Sequence, residues 1–247
     1  MSDRQLANAT ALVTGASRGF GRGTATALSR AGARVVGVAR DRAALDELRA
    51  ELEGSFIPVA ADAADPTVAG QLIDAYRPAV VVLNAGATPL PRPVHHHTWR
   101  TFSRNWDVDV QHVFSFTREA LLAPLNPGSI VIALSSGAAL RGSPLSGGYA
   151  GAKAAIRFLT SYAAEESARA GLGIRFVSLL PQLTPATALG SVYVAAYAAR
   201  QGGAAPGDQG LALTPELVGQ AITGLVTGPD PERDAYALTA AGLQPLS

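Results

Sequence analysis

Short hydrophobic runs alternate with helical patterns along most of the chain. The runs are rich in Val, Ile and Ala, and they predict strands at residues 9–14, 33–39, 56–60, 79–83, 129–134, 174–180 and 235–239. Helical patterns between them predict helices at residues 19–30, 41–52, 65–76, 98–125, 149–170 and 214–226. This alternation predicts an α/β fold over residues 1–247, a single doubly wound domain. We expect a mainly parallel sheet of about seven strands with helices on both faces.

Three of the predicted helices are preceded by a residue that favours the start of a helix. Asp41 precedes the apolar stripe of the second helix, and Asp65-Pro66 and Thr214-Pro215 each pair a capping side chain with proline. Asp and Thr accept hydrogen bonds from the free N–H groups of a first turn, and proline tolerates that turn. These three starting points are therefore specific predictions.

The composition excludes several classes of protein. The chain has 247 residues, of which 48% are hydrophobic, so it can form a large core and is not disordered. The net charge of +1 gives no strong field for nucleic acid or an anionic membrane. The absence of Cys excludes disulfides, thiolate catalysis and Cys-ligated metals. The first ten residues show no signal-peptide pattern, and Pro181, Pro185 and Gly190 interrupt the longest uncharged stretch, so we expect a cytoplasmic protein.

The loop from Thr14 to Gly21 is the first candidate site. It reads TGASRGFG, follows the first predicted strand and leads into the first helix, which is the context of a dinucleotide-binding turn. Glycines allow a diphosphate to approach the backbone closely, and the helix N-terminus offers free N–H groups. On glycine spacing alone, a plain glycine-rich turn is the alternative.

Two arginines bear on the choice of cofactor. Arg18 lies inside this loop, and Arg40 follows the second strand, where an NAD enzyme usually has an acidic residue. A guanidinium at that place suits the 2′-phosphate of NADP. The alternative is that Arg40 is a solvated loop residue.

Tyr149 and Lys153 lie four residues apart at the start of a predicted helix, so they share one face. A phenol with a pKa of about 10 is a poor acid–base group at neutral pH, and a neighbouring ammonium favours its ionised form. Lys153 is the single lysine beside 19 arginines, which supports a specific use for it. Ser136 ends a buried strand upstream and can donate to a carbonyl oxygen. A solvated surface pair is the alternative for Tyr149 and Lys153.

Together these motifs resemble the short-chain dehydrogenase/reductase family, with Asn84-Ala85-Gly86 after the fourth strand as a further match. The resemblance implies a Rossmann-like oxidoreductase that moves hydride between NADP(H) and a carbonyl/alcohol pair. It implies that Tyr149 is the acid/base, that Lys153 binds the nicotinamide ribose and tunes Tyr149, and that Ser136 polarises the substrate oxygen. The cofactor-binding residues it implies are Gly15, Ser17, Arg18, Gly19, Phe20, Gly21, Arg40, Asp62, Ala63, Asn84, Ala85, Gly86, Tyr149, Lys153 and Pro181.

The chain departs from the family pattern at several positions. Asp109 stands where the family has a catalytic Asn, and Gln182 follows Pro181 where a Gly is usual. A carboxylate cannot donate as an amide does. Our hypothesis is that Asp109 still supports the proton relay by accepting from a water, with His112 compensating its charge or acting as a second shuttle. The alternative is that Asp109 caps a helix irregularity or pairs with an Arg, and the relay is lost.

Two further groups of residues flank the substrate region. Three consecutive histidines, His95 to His97, do not converge on one ion, so we interpret them as a polar rim of the cleft and expect no metal. Residues 182–212 correspond to a substrate lid in the family. Tyr193 and Tyr197 lie within it at helical spacing, as lid residues or as core packing.

The leading hypothesis is an NADPH-dependent ketone or aldehyde reductase acting on a small molecule. The alternative is a non-catalytic or weakly active NADP(H)-binding protein, a sensor or scaffold, which Asp109 and Gln182 motivate. A halide-releasing relative of the family is a third option, which the intact glycine loop and Lys153 disfavour. Small residues along the helix from Tyr149 predict close helix contacts, and the family implies a homodimer or homotetramer.

Overall fold

The computed structural model describes residues 6–7, 9–201, 212–229 and 233–246. Its strands are β1 (Thr10–Thr14), β2 (Arg34–Ala39), β3 (Phe56–Ala60), β4 (Val80–Leu83), β5 (Ile130–Leu134), β6 (Arg175–Pro181), β7 (Ala235–Thr239) and β8 (Gly242–Pro245). Its helices are α1 (Gly19–Arg30), α2 (Arg42–Glu51), α3 (Pro66–Tyr76), α4 (Trp99–Phe102), α5 (Gln111–Leu122), α6 (Gly148–Arg169), α7 (Ala188–Gln201) and α8 (Pro215–Thr227). The seven predicted strands are confirmed, each within a residue or two of its predicted bounds.

The strands form one sheet in the order β3-β2-β1-β4-β5-β6-β7-β8. Among the described strands, pairing is parallel from β3 to β7 and antiparallel between β7 and β8. Strand order reverses between β1 and β4, which is where doubly wound sheets open a crevice for ligands. The predicted doubly wound architecture is confirmed. The eighth strand was not predicted, because the short run Gly242–Pro245 has neither β-branched residues nor alternation.

Helices cover both faces of the sheet, and each face has its own core. One core joins α1, α2 and α8 to the sheet through residues such as Leu28, Leu45 and Ile222. The other joins α3, α5 and α6 through residues such as Ile73, Phe116 and Ile156. Because both faces of the strands are buried, their sequences are continuously apolar rather than alternating.

The predicted helix starts agree with the structure. The Asp41 carboxylate accepts from the Ala44 N–H at 3.1 Å, and the Asp65 carboxylate accepts from the Thr67 N–H at 2.9 Å. The Thr214 hydroxyl accepts from the Leu217 N–H at 3.3 Å. Side-chain caps that the sequence predicts therefore determine where α2, α3 and α8 begin.

Residues 98–125 are largely helical, as predicted, but they do not form one continuous helix. The segment breaks into α4, a π-helical turn at Trp106–Val110, and α5. π turns insert one extra residue and re-aim side chains, and they occur often at functional sites. Within the expected lid, residues 188–201 form α7, and residues 202–211 lie outside the described part of the chain.

In the described ranges, no helix combines the length and the apolar character that crossing a bilayer requires.

Candidate active site

The turn between β1 and α1 follows its glycine pattern closely. Gly15 and Gly19 have φ angles of +66° and +55°, which side-chain-bearing residues rarely adopt. A Cβ on Gly15 would lie 2.7 Å from the Asn84 amide nitrogen, and a Cβ on Gly21 would overlap the carbonyl oxygen of Gly15. The turn is therefore too tight for larger residues at these positions.

Asn84 holds this turn against the end of β4. Its side-chain amide donates to the carbonyl oxygens of Thr14 at 3.0 Å and Gly15 at 3.3 Å. The backbone N–H groups of Asn84 and Ala85 both donate to the Thr14 hydroxyl, at 2.9 and 3.1 Å. The segment Asn84–Gly86 thus helps to fix the shape of the glycine turn. The sequence did not indicate that the Thr14 hydroxyl takes part in this network.

The N-terminus of α1 is open to an anion. Arg18 is the exposed residue before the helix, and no side chain caps the first turn, which also contains no acidic residue. Free N–H groups and the positive end of the helix dipole therefore point out of the turn. Phe20 packs onto the core below. The residues fit the diphosphate of a dinucleotide.

Arg40 and Asp62 lie beside each other after β2 and β3. The Arg40 guanidinium is 3.9 Å from the Asp62 carboxylate, and the two side chains are 76% and 52% exposed. Ala63 is buried in the core under α3. An exposed guanidinium at this edge can reach a bound phosphate, since such a loose ion pair holds it weakly.

Ser136 lies two residues after the end of β5 and caps a short 3₁₀ turn, Gly137–Ala139. Its hydroxyl oxygen accepts from the Ala138 N–H at 3.1 Å, so the O–H proton is free to donate. The turn lies against the end of β6: a Cβ on Gly137 would lie 3.6 Å from the Pro181 carbonyl oxygen. Ser136 and Pro181 therefore share one edge of the sheet. The Gln182 side chain is exposed beside them.

Tyr149 and Lys153 lie one turn apart at the start of α6, with the lysine beneath the tyrosine. The Lys153 ammonium is 5.7 Å from the centre of the Tyr149 ring and donates to the Leu134 carbonyl oxygen at 3.0 Å. Ser135 also fixes this helix, because its hydroxyl donates to the Lys153 carbonyl oxygen at 2.7 Å. Lys153 is buried, so the interpretation as a solvated surface pair is wrong.

Asp109 forms a buried ion pair with Lys153. Its carboxylate is 3.1 Å from the ammonium, and the side chains are only 2% and 8% exposed. It also accepts from the Ala87 N–H at 2.8 Å and from the Asn105 side chain at 3.3 Å. A Cβ on Gly86 would lie 2.8 Å from the carboxylate, so glycine is needed there.

The electrostatics of this pair correct two expectations. Burial alone would lower the pKa of Lys153, but the charges of Asp109 and Tyr149 outweigh it and raise that pKa. Burial and the charge of Lys153 lower the pKa of His112 to about 3, against a small opposing effect of the Ala85 backbone. His112 is therefore neutral and does not compensate Asp109. The residue that balances the charge of Asp109 is Lys153, whereas one alternative from the sequence was a pairing with an arginine.

Three tyrosines line up from α6 to α7. The Tyr149 and Tyr193 rings are 6.1 Å apart, and the Tyr193 and Tyr197 rings are 6.2 Å apart. Tyr193 is 4% exposed, whereas the Tyr197 hydroxyl shares a hydrogen bond with the Ser143 hydroxyl in the loop before α6. Helix α7 thus lies over Tyr149.

The histidine run lies beside α4 and the start of α6. His95 and His96 are exposed, while His97 pairs with the Thr101 hydroxyl at 3.2 Å. A Cβ on Gly147 would lie 2.6 Å from the His97 ring. Among the described residues, no three His, Asp or Glu side chains come together as a metal site would require.

Sequence reasoning missed Asn105, Ser135 and the pairing of Asp109 with Lys153. Asn105 lies four residues before Asp109, which is a weak signal for a shared helix face. Ser135 sits next to Ser136, but the sequence does not say which of the two hydroxyls faces the helix. The ion pair depends on the π turn, which no simple hydrophobic pattern predicts.

Comparisons with known proteins place this architecture in a family. A family model described as short chain dehydrogenase matches residues 9–196. The chain belongs to the short-chain dehydrogenase/reductase family, and the resemblance drawn from the motifs is confirmed.

Individual relatives agree with this assignment. L-xylulose reductase of Homo sapiens is 35% identical over 164 residues, covering 65% of this chain and 66% of the relative. D-erythrulose reductase of Gallus gallus is 34% identical over 159 residues, covering 63% and 64%. The alignments thus span about two thirds of these relatives. A 3-ketoacyl-(acyl-carrier-protein) reductase of Brucella melitensis, complexed with NADH, matches with a TM-score of 0.74 and 26% identity over 91% of this chain and 92% of that one.

Proposed function

We propose that this oxidoreductase transfers hydride between NADP(H) and a small carbonyl/alcohol substrate, with Tyr149 as the acid/base. The observation that carries the proposal is the buried ammonium of Lys153 beneath the Tyr149 ring. A positive charge at that place favours the ionised form of a phenol, which is what proton exchange with an alcohol requires. The reductase names of the relatives support the direction of carbonyl reduction.

Each catalytic side chain has a distinct part in this proposal. In reduction, the Tyr149 O–H donates its proton to the carbonyl oxygen, and the Ser136 hydroxyl donates a hydrogen bond to the same oxygen. Lys153 holds its charge beside Tyr149 and binds the nicotinamide ribose. The nicotinamide, when bound, supplies or accepts the hydride.

The cofactor would be held along the carboxyl edge of the sheet. The diphosphate fits the open N-terminus of α1, within a turn formed by Gly15, Ser17, Arg18, Gly19, Phe20 and Gly21. Members of the family contact adenine at the positions of Asp62 and Ala63. The residues expected to lie beside the rest of the cofactor are Asn84, Ala85, Gly86 and Pro181. Arg18 and Arg40, both exposed, supply cations for a 2′-phosphate, which is why we propose NADP(H) rather than NAD(H).

Asp109 is proposed to keep a relay function in place of the family's Asn. Its carboxylate touches the Lys153 ammonium, so it can accept from a water that exchanges protons with that group. The same contact anchors the ammonium between Asp109 and the Leu134 carbonyl. The relay thus requires an acceptor at this position, which an amide also provides.

We also propose that residues 182–212 form a lid over the substrate and that the chain forms a homodimer or homotetramer. Exposed apolar side chains on α5 and α6 support the oligomer: Phe114, Leu122, Phe158 and Tyr162 are all more than half exposed. Together with the small residues of α6, they form a face suited to a second helix pair. A solution molar mass of two or four chains at micromolar concentration is expected, and a monomer contradicts this part.

The test of function is NADPH oxidation across a panel of ketones and aldehydes. Turnover of any of them supports a reductase. NADPH binding without turnover of any carbonyl would favour the sensor or scaffold alternative. Turnover of halohydrins without a nicotinamide cofactor would point to the halide-releasing option.

A further inference from the structure

The Tyr193 hydroxyl has no hydrogen-bond partner in the described part of the chain. The side chain is 4% exposed, and its hydroxyl oxygen is fully buried without a hydrogen-bond partner. A buried hydroxyl without a partner is destabilising, and such groups are rare in folded proteins. A ligand that supplies the missing partner would remove this deficit.

Tyr193 lies beside Tyr149, the proposed acid/base. The Tyr193 ring is 6.1 Å from the Tyr149 ring, and Tyr193 interacts electrostatically with both Tyr149 and Tyr197. Tyr197 has its own partner, the Ser143 hydroxyl, so the two α7 tyrosines differ in this respect. Tyr193 is thus the unpaired phenol beside the group that is proposed to protonate the substrate.

Tyr193 is a donor throughout the working pH range. Burial raises its pKa above the ordinary value for tyrosine, and the neighbouring phenols Tyr149 and Tyr197 raise it further. The hydroxyl therefore stays protonated at neutral pH and can donate a hydrogen bond. That behaviour fits a group that recognises substrate and takes no part in acid–base chemistry.

We propose that the Tyr193 hydroxyl donates to a second oxygen of the substrate, on the carbon next to the reacting carbonyl. The preferred substrates are then α-hydroxy ketones and α-hydroxy aldehydes, whose two oxygens can reach Tyr149 and Tyr193 together. Only the carbonyl is reduced: it gains the hydride and the proton, and the neighbouring hydroxyl is unchanged. This inference rests on the proposed function, since it requires Tyr149 to bind a carbonyl oxygen.

The test compares two ketones of equal size, 1-hydroxy-2-butanone and 3-pentanone, in which a methyl group replaces the hydroxyl. A site built to bond a hydroxyl discriminates against the analogue that lacks it. We expect Tyr193→Phe to lower kcat/KM for the hydroxy ketone about tenfold, the effect of one hydrogen bond, while 3-pentanone changes less than about twofold. Tyr197→Phe is the matched control and should affect both ketones by the same factor.

A thermal melt separates recognition from structural support. Because Tyr193→Phe removes a hydroxyl without a partner, its Tm should equal or exceed that of the wild-type protein. A lower Tm, or equal losses with both ketones, would mean that the hydroxyl serves the protein itself and would overturn the inference. If the wild-type protein binds NADPH but reduces none of the carbonyls in the panel, the proposed function fails and this inference falls with it.

Discussion

The glycine turn at residues 14–21 and helix α7 lie at the same edge of the sheet, yet their polar groups differ in how completely they are hydrogen-bonded. In the turn, Thr14 and Asn84 bond each other's backbone and side-chain groups, and Gly15 contributes a further acceptor. On α7, the buried Tyr193 hydroxyl has no partner among the described residues. The bonds that shape the turn are complete before a ligand arrives, and the free donors there are backbone N–H groups of α1, whereas on α7 the unpaired donor is a side chain.

This difference fits what we propose that each region recognises. A diphosphate is bound by backbone N–H groups, whose positions depend on tight glycine geometry, so that geometry is built in advance. A substrate is distinguished by side chains that offer specific donors, and these are paired only in its presence. Between these regions, Asp109 connects the segment after β4 to helix α6, because it accepts from the Ala87 N–H and pairs with the Lys153 ammonium beneath Tyr149.

The largest effect on stability is expected from breaking that connection. Asp109→Ala leaves the Lys153 charge buried without its partner, which should lower the free energy of unfolding by about 3–5 kcal/mol. Loss of the relay should also lower kcat by as much as ~10²-fold where proton transfer is limiting. Asp109→Asn keeps an acceptor and should preserve or raise kcat. Denaturant unfolding and steady-state kinetics measure both effects.

Asp107 provides the control, because it lies exposed on the same π turn and its carboxylate accepts from the nearby Ser103 hydroxyl. Asp107→Ala should change kcat less than about twofold, as is usual for an exposed site. If the wild-type protein, Asp109→Asn and Asp109→Ala share one kcat with chemistry rate-limiting, Asp109 has no catalytic part.

A smaller effect is expected from filling the glycine turn. In Gly21→Ala the new methyl group overlaps the Gly15 carbonyl and the Asn84 amide, so the free energy of unfolding should fall by about 1–3 kcal/mol. Affinity for NADPH should weaken with it. Gly224→Ala is the matched control: it also lies within a helix, but its Cβ meets no neighbouring atom within 4 Å.

The control should be stabilising by up to about 1 kcal/mol, because alanine favours a helix over glycine. Equal stability changes at the two positions, measured by chemical denaturation, would show that the turn is not preorganised as described.

An effect of similar size is expected on the choice between NADP and NAD. Arg40→Asp removes a cation from the end of β2 and adds an anion that repels a 2′-phosphate. The preference for NADP should fall by about one to two decades, equivalent to about 1.5–3 kcal/mol, or reverse. Dissociation constants for both cofactors measure this ratio, and an unchanged ratio would remove Arg40 from the site.

The sequence predicted the glycine turn and the Tyr149–Lys153 pair because local rules govern both. Gly15 must adopt a positive φ, and residues four apart on α6 share a face. It did not predict the partner of Lys153, since Asp109 lies 44 positions away and is aimed by an irregular turn. Helix α7 was also missed as a helix, because its run of Ala, Val and Tyr lacks a clear apolar stripe. Long-range packing decides these features.

The central claim, that Tyr149 exchanges the proton with substrate, has a direct test in Tyr149→Phe assayed on a carbonyl that the wild-type protein reduces. Kinetics and NADPH titration should be measured on the same preparation. The account predicts a fall in kcat of ~10²- to 10⁴-fold, because general acid catalysis is lost, with NADPH affinity changed less than about threefold. Retention of most of the activity, with the protein folded and NADPH bound, would contradict the assignment.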